Sequence, residues 1–249
     1  MAGHNKWKQI KHKKAATDAK RASVWTKVIR EITVAAKVGG GDPGLNPRLR
    51  KAIEDAKAVN MPNDNIDRAV KKGTGELEGA TYEEVTYEGY GPGGTALLIE
   101  GSTDNPTRTV ADIRHAFSRN GGNLGTTNSV GWMFERKGQI VLAAGARGED
   151  QVMEDALECG ASDFEVDGDL YVVSTDPQQY HAVMDALTAR GYAIESSELA
   201  MIAQNLVKLE AAEAQKVLKL IDVLEELDDV SKVFTNLDFD ALELEEAGA

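Results

Sequence analysis

The chain has 249 residues, 42% of them hydrophobic, and a formal net charge of −13. No apolar run reaches the roughly 18 to 20 residues that a bilayer span needs, so a membrane-spanning helix is excluded. The polar start Met1-Ala2-Gly3-His4-Asn5-Lys6 lacks the apolar core of a secretory signal. A single cysteine, Cys159, permits no internal disulfide and points to a reducing, cytoplasmic setting.

The charge is unevenly placed. The first 75 residues hold 17 of the 28 Lys and Arg but only 7 of the 41 Asp and Glu, a formal +10 against −23 for the remainder. A basic block at one end of an acidic chain has no folding rationale and an evident interaction one, with a polyanion such as nucleic acid.

From about Ala15 to Val38 the apolar residues Ala22, Trp25, Val28, Ile29, Ile32 and Ala36 recur at helical spacing, which predicts one amphipathic helix. Lys13, Lys20 and Lys27 are seven apart and stack away from that stripe, with Arg30 and Lys37 on its flank, so an exposed cationic row is expected. Gly39 to Gly44 reads as a linker. Asn46 as N-cap and Pro47 at the first helical position start a second helix ending near Asn60. Asn63 or Asp64 then caps a third helix through Lys72, with Gly73 as its left-handed stop.

Beyond Leu77 strand-like runs take over at Tyr82 to Tyr87, Thr95 to Glu100, Val130 to Phe134 and Gly138 to Leu142. Helices are expected over Pro106 to Asn120, Glu149 to Cys159, Pro177 to Arg190 and Ala211 to Leu227. Further strands are expected over Asp163 to Val166 and Leu170 to Ser174, paired around Asp167-Gly168. Ala193 to Glu198, Ala200 to Gln204 and Val230 to Thr235 complete the set. The fold class is α+β: a small all-helical N-terminal domain (1–77) followed by two ferredoxin-like α+β domains. One of these is discontinuous (78–135 and 200–249), and the other (136–199) is inserted in it.

Few motifs point to chemistry. Gly89-Tyr90-Gly91-Pro92-Gly93-Gly94 fits G-x-G-x-x-G, but a strand rather than a helix follows, so it reads as a hairpin turn. His4, His12, His115 and His181 show no metal-ligand spacing, and no nucleophile motif is present; no metal, no cofactor and no catalysis are expected. Asn105, Arg108 and Arg114 form a possible secondary anion site at a helix start, although capping by Asn105 accounts for most of that pattern. Gly121 to Asn128 reads as a solvated loop.

The basic block is the candidate nucleic-acid-binding site. Its residues are Lys6, Trp7, Lys8, Lys11, Lys13, Lys14, Lys20, Arg21, Lys27, Arg48, Arg50 and Lys51. Trp7 offers a ring for stacking on an unpaired base. Arg48, Arg50 and Lys51 sit in the first turn of a helix, where cations oppose the macrodipole and call for an external anion.

Ala2-Gly3-His4-Asn5-Lys6-Trp7, Ile10-Lys11-His12-Lys13-Lys14-Ala15, Asn46-Pro47-Arg48-Leu49-Arg50, Asn60-Met61-Pro62-Asn63, Lys71-Lys72-Gly73-Thr74-Gly75, Tyr87-Glu88-Gly89-Tyr90-Gly91-Pro92-Gly93-Gly94 and Thr103-Asp104-Asn105 together resemble the YebC-type family over nearly the full length. Asn5 stands where that family often has Ser. The resemblance implies a helical domain with two α+β domains and a DNA-binding transcriptional regulator. It also implies an alternative, a ribosome-associated factor on ribosomal RNA or a translational activator like the mitochondrial relatives. DNA or ribosomal RNA is thus the expected partner, with no membrane, and the sequence is silent on oligomeric state.

Overall fold

Apolar periodicity and local caps divide the N-terminal part into three helices: α1 (Asp18–Gly39), α2 (Pro47–Ala58) and α3 (Asn63–Gly73). The structure is a computed structural model that describes residues 18–143, 145 and 147–239, the first five of these by backbone alone. Ile32, Ala35 and Ala36 of α1 pack against Leu49, Ala52 and Ala56 of α2 and Ile66 and Ala69 of α3. Trp25, Val28 and Ile29 lie against the same core, as the apolar stripe requires. The Trp25 indole N–H donates to the Val59 carbonyl at 3.2 Å.

The predicted glycine linker is ordered by one side chain. The Asn46 amide donates to the carbonyls of Ala35 and Gly40, both at 2.8 Å, while its oxygen accepts from the Leu49 amide and caps α2. The end of α3 differs from expectation. Pro62, not Asn63 or Asp64, holds the N-cap position, and Gly73 lies inside the helix; the left-handed residue is Gly75 at φ 83°. Gly73 is required for closeness, since a Cβ there would stand 2.4 Å from the Thr33 carbonyl of α1.

The rest of the chain builds two four-stranded sheets. The first has the order β3-β1-β2-β8, from β1 (Glu83–Tyr90), β2 (Ala96–Thr103), β3 (Asn123–Leu124) and β8 (Val230–Thr235); α4 (Pro106–Arg119) and α7 (Ala211–Glu225) belong with it. β1 pairs antiparallel with both β2 and β3. β1, which precedes β2 in the chain, takes the place between β2 and β3.

The second sheet has the order β5-β6-β4-β7, all antiparallel, from β4 (Phe134–Ala143), β5 (Asp163–Asp167), β6 (Leu170–Thr175) and β7 (Ile194–Ala203). With α5 (Glu149–Glu158) and α6 (Tyr180–Ala189) this is an uninterrupted βαββαβ unit. Ile140, Leu142, Tyr171 and Val173 of the strands meet Val152, Ala156, Val183 and Leu187 of the helices in its core.

Two expectations fail here. Val130 to Phe134 is not a strand, because Gly131–Met133 forms a 3-10 turn and leaves Trp132 65% exposed. Residues expected as two strands, 193–198 and 200–204, form the single β7, which pairs with ten-residue β4 across 199/200, the boundary expected between two domains.

By internal packing the chain divides into two compact units. One holds the helical bundle, the first sheet and α7, and the other holds the second sheet with its helices. Among the described residues no helix is long and apolar enough to cross a membrane.

Candidate nucleic-acid interface

Lys6, Trp7, Lys8, Lys11, Lys13 and Lys14 lie outside the described residues, and the side chains of Lys20 and Arg21 are likewise not described. Lys27, Arg48, Arg50 and Lys51 can be placed, and of these Lys27 departs from the expected exposure.

Lys27 is half-buried and its ammonium donates to the Glu225 carbonyl at the end of α7. One turn further along α1, Arg30 is nearly buried. It pairs with the Asp229 carboxylate and donates to the Asp228 carbonyl at 2.6 Å, and Ser23, one turn before Lys27, donates to the Asp228 carboxylate at 3.2 Å. The polar face of α1 therefore docks on the turn between α7 and β8. Arg30, on the flank of the expected row, finds its counter-charge in the chain's own acidic segment, whereas Lys27 bonds to a backbone carbonyl.

Asp229 is the centre of this contact. Its side chain is 9% exposed, and it accepts from Arg30, from the Arg108 guanidinium at 2.8 Å and from the Thr109 hydroxyl at 2.6 Å. Burial pushes its carboxyl up, but the hydrogen bonds from Thr109 and Arg108 and the charge of Arg30 outweigh it and hold the carboxyl below its ordinary value.

The same network takes in Arg108, beside the Asn105 cap. Asn105 caps α4 by accepting from the Arg108 amide at 3.1 Å. The Arg108 side chain is engaged by Asp229 and by Asp104 at 2.9 Å, and Arg114 is exposed two turns further along. Both carboxylates bond to the same Nη2 of Arg108, whose side chain stays 46% exposed.

In the first turn of α2 the cations also find internal acceptors. Arg48 makes a two-point contact with Glu31, at 2.7 and 3.0 Å, and a bond of 2.8 Å to Glu84; the Glu31 bonds, opposed by burial, raise its pKa further. Lys51 pairs with Asp55. Arg50 donates to the carbonyls of Pro43 and Gly44 at 3.0 and 3.3 Å, which ties the α1–α2 connection to α2. All three side chains keep substantial exposure, so these contacts orient the cations without removing them from solvent. Arg50 and Lys57, seven apart, lie in line on the exposed side of α2, and Arg68, Lys71 and Lys72 share the outer face of α3.

Sequence reasoning missed a second organising carboxylate. Glu88 on β1 is 7% exposed and accepts backbone N–H bonds from Asn128 at 2.8 Å, Val130 at 2.8 Å and Gly131 at 2.6 Å. Burial raises its pKa, yet these amide bonds prevail and keep it depressed. The loop from Gly121 to Asn128 has no buried residue and is tied to this side chain at its end, through Asn128, and Tyr90 adds a hydroxyl bond to the Ser129 carbonyl at 2.8 Å. Nothing local distinguishes Glu88 from the other acidic residues, because its amide partners lie about forty positions away.

The glycine-rich segment behaves as expected of a hairpin turn. Pro92–Gly94 forms a 3-10 turn with Gly93 and Gly94 at positive φ, and strand β2 follows directly. No group of His, Cys, Asp and Glu suited to a metal occurs among the described residues.

Comparison with known proteins covers both parts of the chain. The sequence model of the TACO1/YebC protein N-terminal domain matches residues 5–76, and that of the TACO1/YebC second and third domain matches residues 82–237. A Gemmatimonas aurantiaca protein named "Probable transcriptional regulatory protein" is 60% identical over 240 residues, 96% of this chain and 97% of its own length. A Chlorobaculum tepidum protein with the same descriptive name is 56% identical over 239 residues, 96% of this chain and 95% of its own. The crystal structure of a conserved hypothetical protein from Aquifex aeolicus matches with a TM-score of 0.80 and 45% identity, over 89% of this chain and 91% of that one.

Proposed function

We propose that this chain, which belongs to the TACO1/YebC family, is a cytoplasmic, non-enzymatic regulator of gene expression that binds DNA through its basic N-terminal domain. The reading is carried by the concentration of +10 in the first 75 residues of a chain whose remainder carries −23. It is supported by relatives at 60% and 56% identity that are named as transcriptional regulators.

Phosphate contacts are assigned to Lys6, Lys8, Lys11, Lys13, Lys14, Lys20, Arg21, Arg48, Arg50 and Lys51, with Trp7 stacking beside them. Lys27 is reassigned to holding α1 on the Glu225 carbonyl. Contacts to phosphate and shape dominate this assignment, because Asp64 and Asp67 occupy the start of α3, where base reading would need uncharged or cationic side chains.

Crosslinking in cells followed by sequencing of the bound nucleic acid tests the proposal. Enrichment of promoter-proximal DNA is expected. Recovery of ribosomal RNA without DNA would overturn the DNA assignment, and recovery of neither would overturn nucleic-acid binding itself.

A further inference from the structure

Residues 149–169 contain nine acidic side chains and no Lys or Arg, and they form α5 and the β5 edge of the second sheet. Within this acidic stretch stand three large apolar residues open to solvent: Met153 (41% exposed), Leu157 (51%) and Val166 (47%). Their placement makes them one strip. On α5, Val152 and Ala156 point into the core, and Asp155 turns to one flank, where it bonds to Arg190 and Tyr192 beyond α6. At 100° per residue Met153 and Leu157 fall together on the opposite flank, the side of β5.

Val166 stands opposite Tyr171 in the β5–β6 ladder. Cross-strand partners share a face, and Tyr171 belongs to the core beneath the helices, so Val166 emerges on the helix-covered face at the sheet edge. Exposed Glu149, Asp150 and Glu154 lie on the same side of α5 as Met153 and Leu157, and exposed Asp169 stands in the turn after β5.

We propose that Met153, Leu157 and Val166 form a docking surface for a lysine- and arginine-rich segment of a partner protein that carries apolar side chains of its own. This goes beyond nucleic-acid binding, which the carboxylates here would repel. Contiguous exposed apolar side chains mark interaction surfaces, and their charged rim selects the sign of the partner. A second copy is disfavoured on the same ground: Asp163, Glu165 and Asp167 along β5 would face their own counterparts across any edge-to-edge pairing.

The test uses the full chain and a short fluorescent peptide of alternating leucine and lysine. Saturable binding is expected, at least tenfold weaker when glutamine replaces every lysine. The double variant Met153→Gln, Leu157→Gln keeps every carboxylate and should lose at least tenfold in affinity at an unchanged melting temperature. Val166→Thr, which retains strand propensity, should weaken binding in the same direction and serves if the double variant fails to fold. Undiminished binding by these variants would show that the peptide senses bulk charge alone, and the proposal would fall. It would equally fall if sedimentation revealed a dimer that the double variant dissolves.

Discussion

Arg30 on the first helix and Asp229 before the last strand form an ion pair across 199 positions of sequence, with side chains only 12% and 9% exposed. The pair belongs to a network that also takes in Arg108 and Thr109, so one carboxylate joins the helical bundle, α4 and the β8 end of the first sheet.

Asp229→Ala removes the acceptor and leaves the Arg30 guanidinium nearly buried without its charge partner. Breaking such a pair from one side costs about 3 kcal/mol. Urea unfolding should show this loss, and Arg30→Met, which removes the other charge while keeping the stem, should cost less when combined with Asp229→Ala than when made alone.

The pH dependence follows from two depressed carboxyls, Asp229 and Glu88. Each folded-state pKa lies below its unfolded value, so between the two the unfolded chain binds more protons and stability rises with pH. Their contribution is complete above the ordinary carboxylate range, about pH 4 to 5, and is lost as pH falls through the folded values. Thermal melts across that range should show the decline, and Asp229→Asn should flatten it.

Glu88→Gln replaces one acceptor oxygen with a donor facing backbone N–H groups. A cost of about 2 kcal/mol is expected from amides left unsatisfied. Hydrogen exchange should accelerate at Asn128, Val130 and Gly131 while the amides of α2 keep their protection.

Gly73→Ala drives a methyl group toward the Thr33 carbonyl, a rigid backbone atom, and should destabilise the bundle by about 1 to 3 kcal/mol. Gly75→Ala tests a separate cause, the positive φ of that residue, and meets no neighbouring atom. Differential melting of the two variants separates close packing from backbone strain.

Nucleic-acid affinity should fall linearly on a logarithmic salt scale, with the slope reduced by about one for each phosphate contact removed. Arg50→Gln and Lys13→Gln are each expected to shrink the slope. Lys27→Gln is expected to leave it unchanged, because that ammonium is held by the Glu225 carbonyl. An equal loss at Lys27 would show that the α1 row faces the polymer after all.

Much of the secondary structure was legible because its causes are local. Asn46-Pro47 announces the start of α2, Asp167-Gly168 the β5–β6 hairpin, and the spacing from Trp25 to Ala36 the apolar side of α1; each signal lies within a few residues of what it determines. Val130 to Phe134 misled because hydrophobic alternation continues through a 3-10 turn whose backbone is bent by bonds to Glu88. Gly73 misled because a glycine after a helical run has two explanations, conformational freedom and close approach, and only the position of α1 distinguishes them.

By itself the sequence determined most of the helices and strands, the α+β class and the imbalance of charge, since propensity, periodicity and composition are properties of neighbouring residues or of the whole chain. Which cations face solvent was decided only by tertiary structure. Lys27 and Arg30 look as available as Arg50 along the chain, yet folding brings the turn at Glu225 to Asp229 against them. Electrostatic pairing depends on separation in space, and a linear pattern does not specify which of 41 acidic residues will come within hydrogen-bonding distance.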